Sequence, residues 1–214
     1  MKGTLKILSI LLLLAMAIMY LIREPFKETA PAHAKQDMFV DGDTDDFDPG
    51  PAVGSQFPGL QAIYQGRKVT LLNEFSGKNG TVFIANRSYD WCPYCKHQMI
   101  QLQETKAAYD AAGIGMVAIT YDDPALQKLF TDKFNITIPV LSDIDVLSFK
   151  TLGILNEEYM AGEFQYGIPH PGMIVVDPQG TVVGKLFLEA FSSRVDSTAA
   201  LAFASSALGL DPLR

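Results

Sequence analysis

Two cysteines, Cys92 and Cys95, stand three residues apart and are the only two in a chain of 214 residues. Random placement would give that spacing roughly one time in a hundred, so the pair is read as chemistry. Trp91 precedes it, Pro93 and Tyr94 lie inside it, and a segment with helical spacing follows. Proline suits the first helical turn, where its missing N–H costs nothing. Cys92 is therefore expected at the helix cap, facing unsatisfied backbone N–H groups, where the positive helix end favours a thiolate. An ordinary thiol with a pKa of about 8.5 is only ~3% ionised at pH 7, whereas one brought to about 6.5 is roughly three-quarters ionised. The expected division of labour is attack by Cys92 and release of the resulting mixed disulfide by Cys95, one turn further in.

Two other roles suit paired cysteines. A purely structural disulfide would close a loop of about four residues, which chain entropy values at only about 2 kcal/mol. A zinc site needs four ligands, and only His33, His97 and His170 are available to join the sulfurs. His33 falls in a linker, and His97, two residues after Cys95, points off another face of the helix. A copper or other metal carrier using Cys92, Cys95 and His170 is the remote alternative. No metal or other cofactor is expected.

The elements that must hold the pair follow from the apolar pattern. The run around Val82, Phe83 and Ile84 reads as a strand ahead of the cysteines, and Gly113 reads as the stop of the helix after them. Met116–Tyr121 reads as a buried strand, parallel to the first because a helix connects them. Asp123 and Pro124 cap a helix with Leu126, Phe130 and Phe134 on one core-facing side. A short strand near Ile138–Leu141 and a helix near Val146–Leu152 come next. Met173–Val176 is a strand, Asp177-Pro178-Gln179-Gly180 has type I turn residues, and Thr181–Leu188 returns as the second arm of a hairpin. A last helix runs from about Asp196 to Gly209. The order β-α-β-α-β-α-β-β-α fits a mixed central sheet with helices on both faces.

Ahead of this domain, assigned to residues 53–214, the sequence divides in two. Residues 1–23 carry Lys2 and Lys6, an uncharged apolar run of sixteen residues from Ile7 to Ile22, and Arg23. As a helix the run is about 24 Å long, short of a hydrocarbon core of about 30 Å, but flanking cations can snorkel. It is read as an uncleaved membrane anchor, with a cleaved signal peptide and secretion as the alternative. The domain would then lie outside the cytoplasm, periplasmic or extracellular. Residues 24–52, rich in Asp, Pro and Gly, read as a flexible acidic tether. Asp41, Asp43, Asp45, Asp46 and Asp48 fail the spacing of a calcium loop, with Asp46 where its glycine belongs and Ala52 where its glutamate belongs. A net charge of −7 argues against nucleic acid as a partner.

Strand, cysteine loop and helix, together with Gly54–Pro58, Val69–Leu72, Leu141-Ser142-Asp143 and the PHPGMIVVDPQG stretch, resemble the thioredoxin-fold superfamily. More narrowly they resemble the redoxin group of alkyl-hydroperoxide-reductase and thiol-specific-antioxidant proteins. The resemblance implies a thioredoxin-like domain and a cis-proline at Pro171 beside the thiols, exposing backbone to an extended substrate peptide. His170 next to it either tunes the thiolate or is an ordinary loop residue. Peroxiredoxins carry P-x-x-x-T-x-x-C. Aligned on Cys95, the pattern's positions hold Ser88 and Cys92; aligned on Cys92, they hold Ala85 and Tyr89. The peroxide-polarising arginine falls at Pro171, leaving Arg87 or Arg194 as substitutes. Asn86 stands where thioredoxins have a buried aspartate. The implied function is thiol:disulfide exchange with protein thiols or disulfides, supported by a reductant protein, with Trp91, Pro93, Tyr94, His170 and Pro171 contacting the substrate. The alternative is a thiol-dependent peroxidase in which one cysteine becomes a sulfenic acid.

Overall fold

The computed structural model describes residues 38–210. The apolar run Ile7–Ile22 and His33 lie outside the described residues. Among the described residues no helix is long and apolar enough to cross a membrane.

In chain order the strands are β1 Phe39–Val40, β2 Ala62–Tyr64, β3 Arg67–Val69, β4 Gly80–Ala85, β5 Ile114–Thr120, β6 Val140–Ser142, β7 Gly172–Val176, β8 Val182–Phe187 and β9 Arg194–Val195. The helices are α1 Pro93–Ala111, α2 Pro124–Phe134, α3 Leu147–Leu152 and α4 Ser197–Ala207, with a 3-10 turn at Leu72–Phe75. Seven strands form one mixed sheet in the order β3-β2-β6-β5-β4-β7-β8. The β4–β5 and β5–β6 pairs are parallel, and the others are antiparallel. This is the expected thioredoxin-like α/β architecture.

Strand β4 is buried along its whole length, and its side chains alternate between two cores. Val82 and Ile84 pack with Met99 and Leu102 of α1, Phe130 of α2 and Leu201 of α4. Phe83 and Ala85 point the other way, toward Phe149 and Leu152 of α3 and Leu60 and Leu72 of the N-terminal part. Parallel pairing brings the carboxyl ends of β4 and β5 side by side, which is where ligand sites of such sheets form.

Local chemistry explains the boundaries. Cys92 caps α1 with Pro93 at its first position, and Gly113 past its end has φ +67°. The Asp123 carboxylate accepts from the Ala125 N–H at the start of α2, and left-handed Asn135 ends it. Asp177 accepts from the amides of Gln179 and Thr181 in the β7–β8 turn.

Three expectations need correction here. Leu126 and Phe134 are 39% and 37% exposed, leaving Phe130 alone of the three in the core. Residues four apart drift 40° around a helix, and the inward face of α2 is shared by Gln127, which donates to Leu141 O and Thr120 Oγ1. The β2–β3 hairpin was not anticipated. Its arms have three residues each, and Gln65 and Gly66 both take positive φ, as a two-residue type I′ turn needs. Finally, the acidic stretch is a packed arm from Met38 on. Strand β1 pairs with β9, the buried Lys185 ammonium bonds Asp48, and the Phe47 ring meets His170 edge-on. Scattered apolar residues and one distant lysine anchor it, which composition alone does not reveal.

Candidate active site

The loop from β4 into α1 is tied down by a carboxylate from the end of β5. Buried Asp122 accepts from the Ser88 hydroxyl at 2.7 Å, the Tyr89 N–H at 2.6 Å and the Thr120 hydroxyl at 2.9 Å. The Ser88 oxygen in turn accepts the N–H groups of Asp90 and Trp91 at 3.0 and 3.3 Å. Every residue from Ser88 to Trp91 is thus held directly or through one hydroxyl. Burial pushes the Asp122 carboxyl above its ordinary range, and the hydrogen bonds from Tyr89, Ser88 and Thr120 pull it back in part. The Trp91 indole N–H donates to the Tyr121 hydroxyl at 2.8 Å, fixing the ring beside the pair.

The two sulfurs are bonded, with the Cα atoms 5.4 Å apart. Cys92 Sγ accepts from the Cys95 N–H at 3.2 Å, the cap interaction its position demands. Each sulfur also meets a guanidinium: Arg87 Nη2 lies 3.4 Å from Cys92 Sγ, and Arg194 Nη2 lies 3.5 Å from Cys95 Sγ. Arg194 is further held by Gln98 Oε1 and by the carbonyls of Phe191 and Ser193. Burial pulls Arg194 down to about 9, and the Arg87 charge acts in the same direction; burial lowers Arg87 as well.

Both cysteines are 0% exposed. The cover is cationic and aromatic. The Arg87 guanidinium lies over the rings of Trp91 and Phe191 at 5.6 and 5.0 Å. Tyr94 meets Phe191 edge-on, and Trp91 leans against Phe164. Phe191 and Phe164 are 60% and 70% exposed.

Trp91, Pro93 and Tyr94 lie beside the pair, Pro93 at the first position of α1 and Trp91 and Tyr94 in the aromatic cover. Pro171 lines a small cleft with Gln98 and Arg194, but the expected cis bond is absent: among the described residues every peptide bond is trans. Trans is the form a prolyl bond prefers by about 0.5–1 kcal/mol. His170 faces the arm: its ring meets Phe47 at 4.9 Å, its backbone N–H donates to Ile154 O, and burial lowers its pKa against the opposing charge of Glu158. The carrier built from Cys92, Cys95 and His170 is not assembled, since among the described residues no three His, Cys, Asp or Glu side chains gather to hold a metal ion. Asn86 is buried, its Nδ2 donating to the Tyr89 hydroxyl while Oδ1 has no partner. Asp122, Ser88, Gln98 and Phe191 were not foreseen. The one signal for Asp122 is its place at the carboxyl end of a strand parallel to the one feeding the cysteine loop.

Fold and paired sulfurs together define a redoxin, an α/β oxidoreductase or peroxidase of thiol chemistry. Residues 53–185 match the AhpC/TSA family, and the chain belongs to it. Its relatives carry two kinds of name. A protein described as a peroxiredoxin, bcp, from Haemophilus influenzae is 26% identical over 132 residues, 62% of this chain and 83% of that protein. The thiol-disulfide oxidoreductase ResA of Bacillus thuringiensis is 25% identical over 136 residues, 63% of this chain and 69% of the relative. A solved peroxiredoxin-like protein from Aquifex aeolicus shares the fold with a TM-score of 0.62 at 20% identity, over 75% of this chain and 90% of that one.

Proposed function

We propose that the protein is a thiol:disulfide oxidoreductase that exchanges electrons with cysteines of other proteins through a reversible Cys92–Cys95 disulfide. The observation that carries this is the bonded pair at a helix N-terminus, with Cys92 as cap residue and a donor N–H from Cys95 on its sulfur. Cys92 is the sulfur that forms the mixed disulfide, and Cys95 releases it. Trp91, Tyr94 and Phe191 form the rim a partner meets, and Pro93 holds the helix start in register with it. A disulfide cycle suits an oxidising compartment, and the run Ile7–Ile22 between Lys6 and Arg23 supports an anchored domain outside the cytoplasm.

A thiol peroxidase is the second reading, favoured by the relatives named peroxiredoxins and by the two guanidiniums at the sulfurs, which could polarise a peroxide. Reduction of insulin disulfides is set against consumption of hydrogen peroxide, with Cys92→Ser and Cys95→Ser alongside. The first reading expects disulfide turnover abolished by Cys92→Ser and a trapped mixed disulfide in Cys95→Ser. Peroxide turnover without disulfide exchange would overturn it in favour of the second.

A further inference from the structure

We infer that Arg87 and Arg194 set the direction of electron flow: by favouring the reduced pair, they make this protein an acceptor of electrons from substrate dithiols, a donor of disulfides. The inference rests on the thiol–disulfide reading above and names the substrate class of that same site.

The argument is one of charge balance across the redox cycle. Each sulfur lies against one guanidinium, at 3.4 and 3.5 Å. Both arginines are buried, and among the described residues neither forms an ion pair with a carboxylate. Arg87 Nε has no hydrogen-bond partner at all. The ionisable groups that act on Arg87 are the hydroxyls of Tyr159 and Tyr94; those acting on Arg194 are Arg87 itself, Tyr94 and Tyr89. Two like charges therefore share a buried site in which, among the described residues, no carboxylate pairs with either. A disulfide is neutral and leaves this imbalance in place. Reduction creates a thiolate where the cations already point, and at Cys92 Sγ the Cys95 N–H is a second donor beside Arg87. A site that stabilises the thiolate stabilises the reduced form, which makes the disulfide a stronger oxidant.

The steps follow the same geometry. Once the Phe191 and Arg87 cover moves aside, a substrate thiolate attacks Cys92 Sγ. The Cys92–Cys95 bond breaks and Cys95 leaves as a thiolate against Arg194, then takes a proton. The second substrate thiolate attacks the substrate sulfur of the mixed disulfide, and Cys92 leaves as a thiolate against Arg87. Two electrons pass to the pair, two substrate thiols become one disulfide, and of their two protons one rests on Cys95 and one goes to solvent.

The test is the thiol–disulfide equilibrium of the full chain in glutathione and dithiothreitol buffers, read by alkylation of free thiols, with titration of the Cys92 thiolate by its absorbance. Arg87→Gln is expected to make the disulfide at least about tenfold harder to reduce, about 30 mV for a two-electron couple, and to lower the thiolate fraction of Cys92 by a similar factor. Arg87→Lys should restore most of both. Arg194→Gln should act in the same direction, but Arg194 also ties down the 191–193 loop, so Arg87 carries the test. If the wild-type pair equilibrates with the buffers and Arg87→Gln changes neither quantity, the inference falls while the thiol–disulfide reading stands. A wild-type disulfide inert to both buffers overturns the two together.

Discussion

Replacing Asp122 with asparagine keeps the shape of the residue that ties down the cysteine loop and removes one acceptor. Oδ2 serves two donors, the Tyr89 N–H and the Thr120 hydroxyl, so the amide oxygen would take that place. The new NH2 would then face Ser88 Oγ, which already accepts the N–H groups of Asp90 and Trp91 and has no lone pair to spare. One charge-assisted hydrogen bond is lost and two donors confront each other, a cost of about 1.5–3 kcal/mol. Against a usual domain stability of roughly 5–15 kcal/mol, the variant still folds. Urea unfolding should show a lower midpoint at unchanged slope, and Cys92 in the reduced variant should react with iodoacetamide at an altered rate because its loop has slackened. The pH dependence has a definite sign. Because the folded Asp122 holds its proton above the ordinary value of 3.8, its contribution is full at low pH and declines as pH rises through the raised value. The penalty of Asp122→Asn should therefore be larger in acid than at pH 7. An unmoved midpoint, or a penalty that shrinks on acidification, would refute the role given to this carboxylate.

Phe130→Ala removes a ring stacked on Tyr89 at 4.6 Å and should cost about 3–5 kcal/mol, read as a lowered urea midpoint. His170 is held below its ordinary value of 6.5 by burial, so the stability it contributes at neutral pH is lost as pH falls from 6.5 through the lower folded value. His170→Gln should flatten that part of the stability profile, measured by urea titrations between pH 7 and 5. Lys185→Met frees Asp48 and its neighbouring carbonyls from a buried ammonium while leaving an apolar stem in place. Limited proteolysis should then cut residues 41–52 faster, with global stability nearly unchanged.

What was legible in the sequence was local. Cys92 at a cap, Pro93 in the first turn, Asp123-Pro124 opening a helix and Asp177–Gly180 turning a hairpin each depend on a few consecutive residues, and each lies where its chemistry placed it. The surroundings of the sulfurs depend on topology instead. Asp122 reaches Ser88 across 34 positions because β4 and β5 run side by side, and Arg194 reaches Cys95 across 99 because β9 returns past the start of α1. Arg87 and Arg194 could be named only as candidates, since no spacing in one chain announces which distant cation meets which sulfur. The burial of the pair depends on topology as well, its cover being assembled in part from Phe191, far along the chain. The arm was missed because its acidic, proline-containing composition imitates a tether while three apolar side chains, Met38, Val40 and Phe47, do the packing.

The short parallel pair of β1 with β9 links that arm to the chemistry. The Arg194 N–H donates to Met38 O at 2.7 Å and the Asp196 N–H to Val40 O at 2.8 Å, so the backbone that aims one guanidinium at Cys95 is itself hung on residues 38–40. A shortened protein beginning at residue 53, where the family match starts, would keep both cysteines and the whole seven-stranded sheet yet leave that hanger empty. Its sulfur chemistry would differ from that of the longer chain for a mechanical reason alone, and traction applied to the chain ahead of Met38 would be delivered one residue pair away from the cation that touches Cys95.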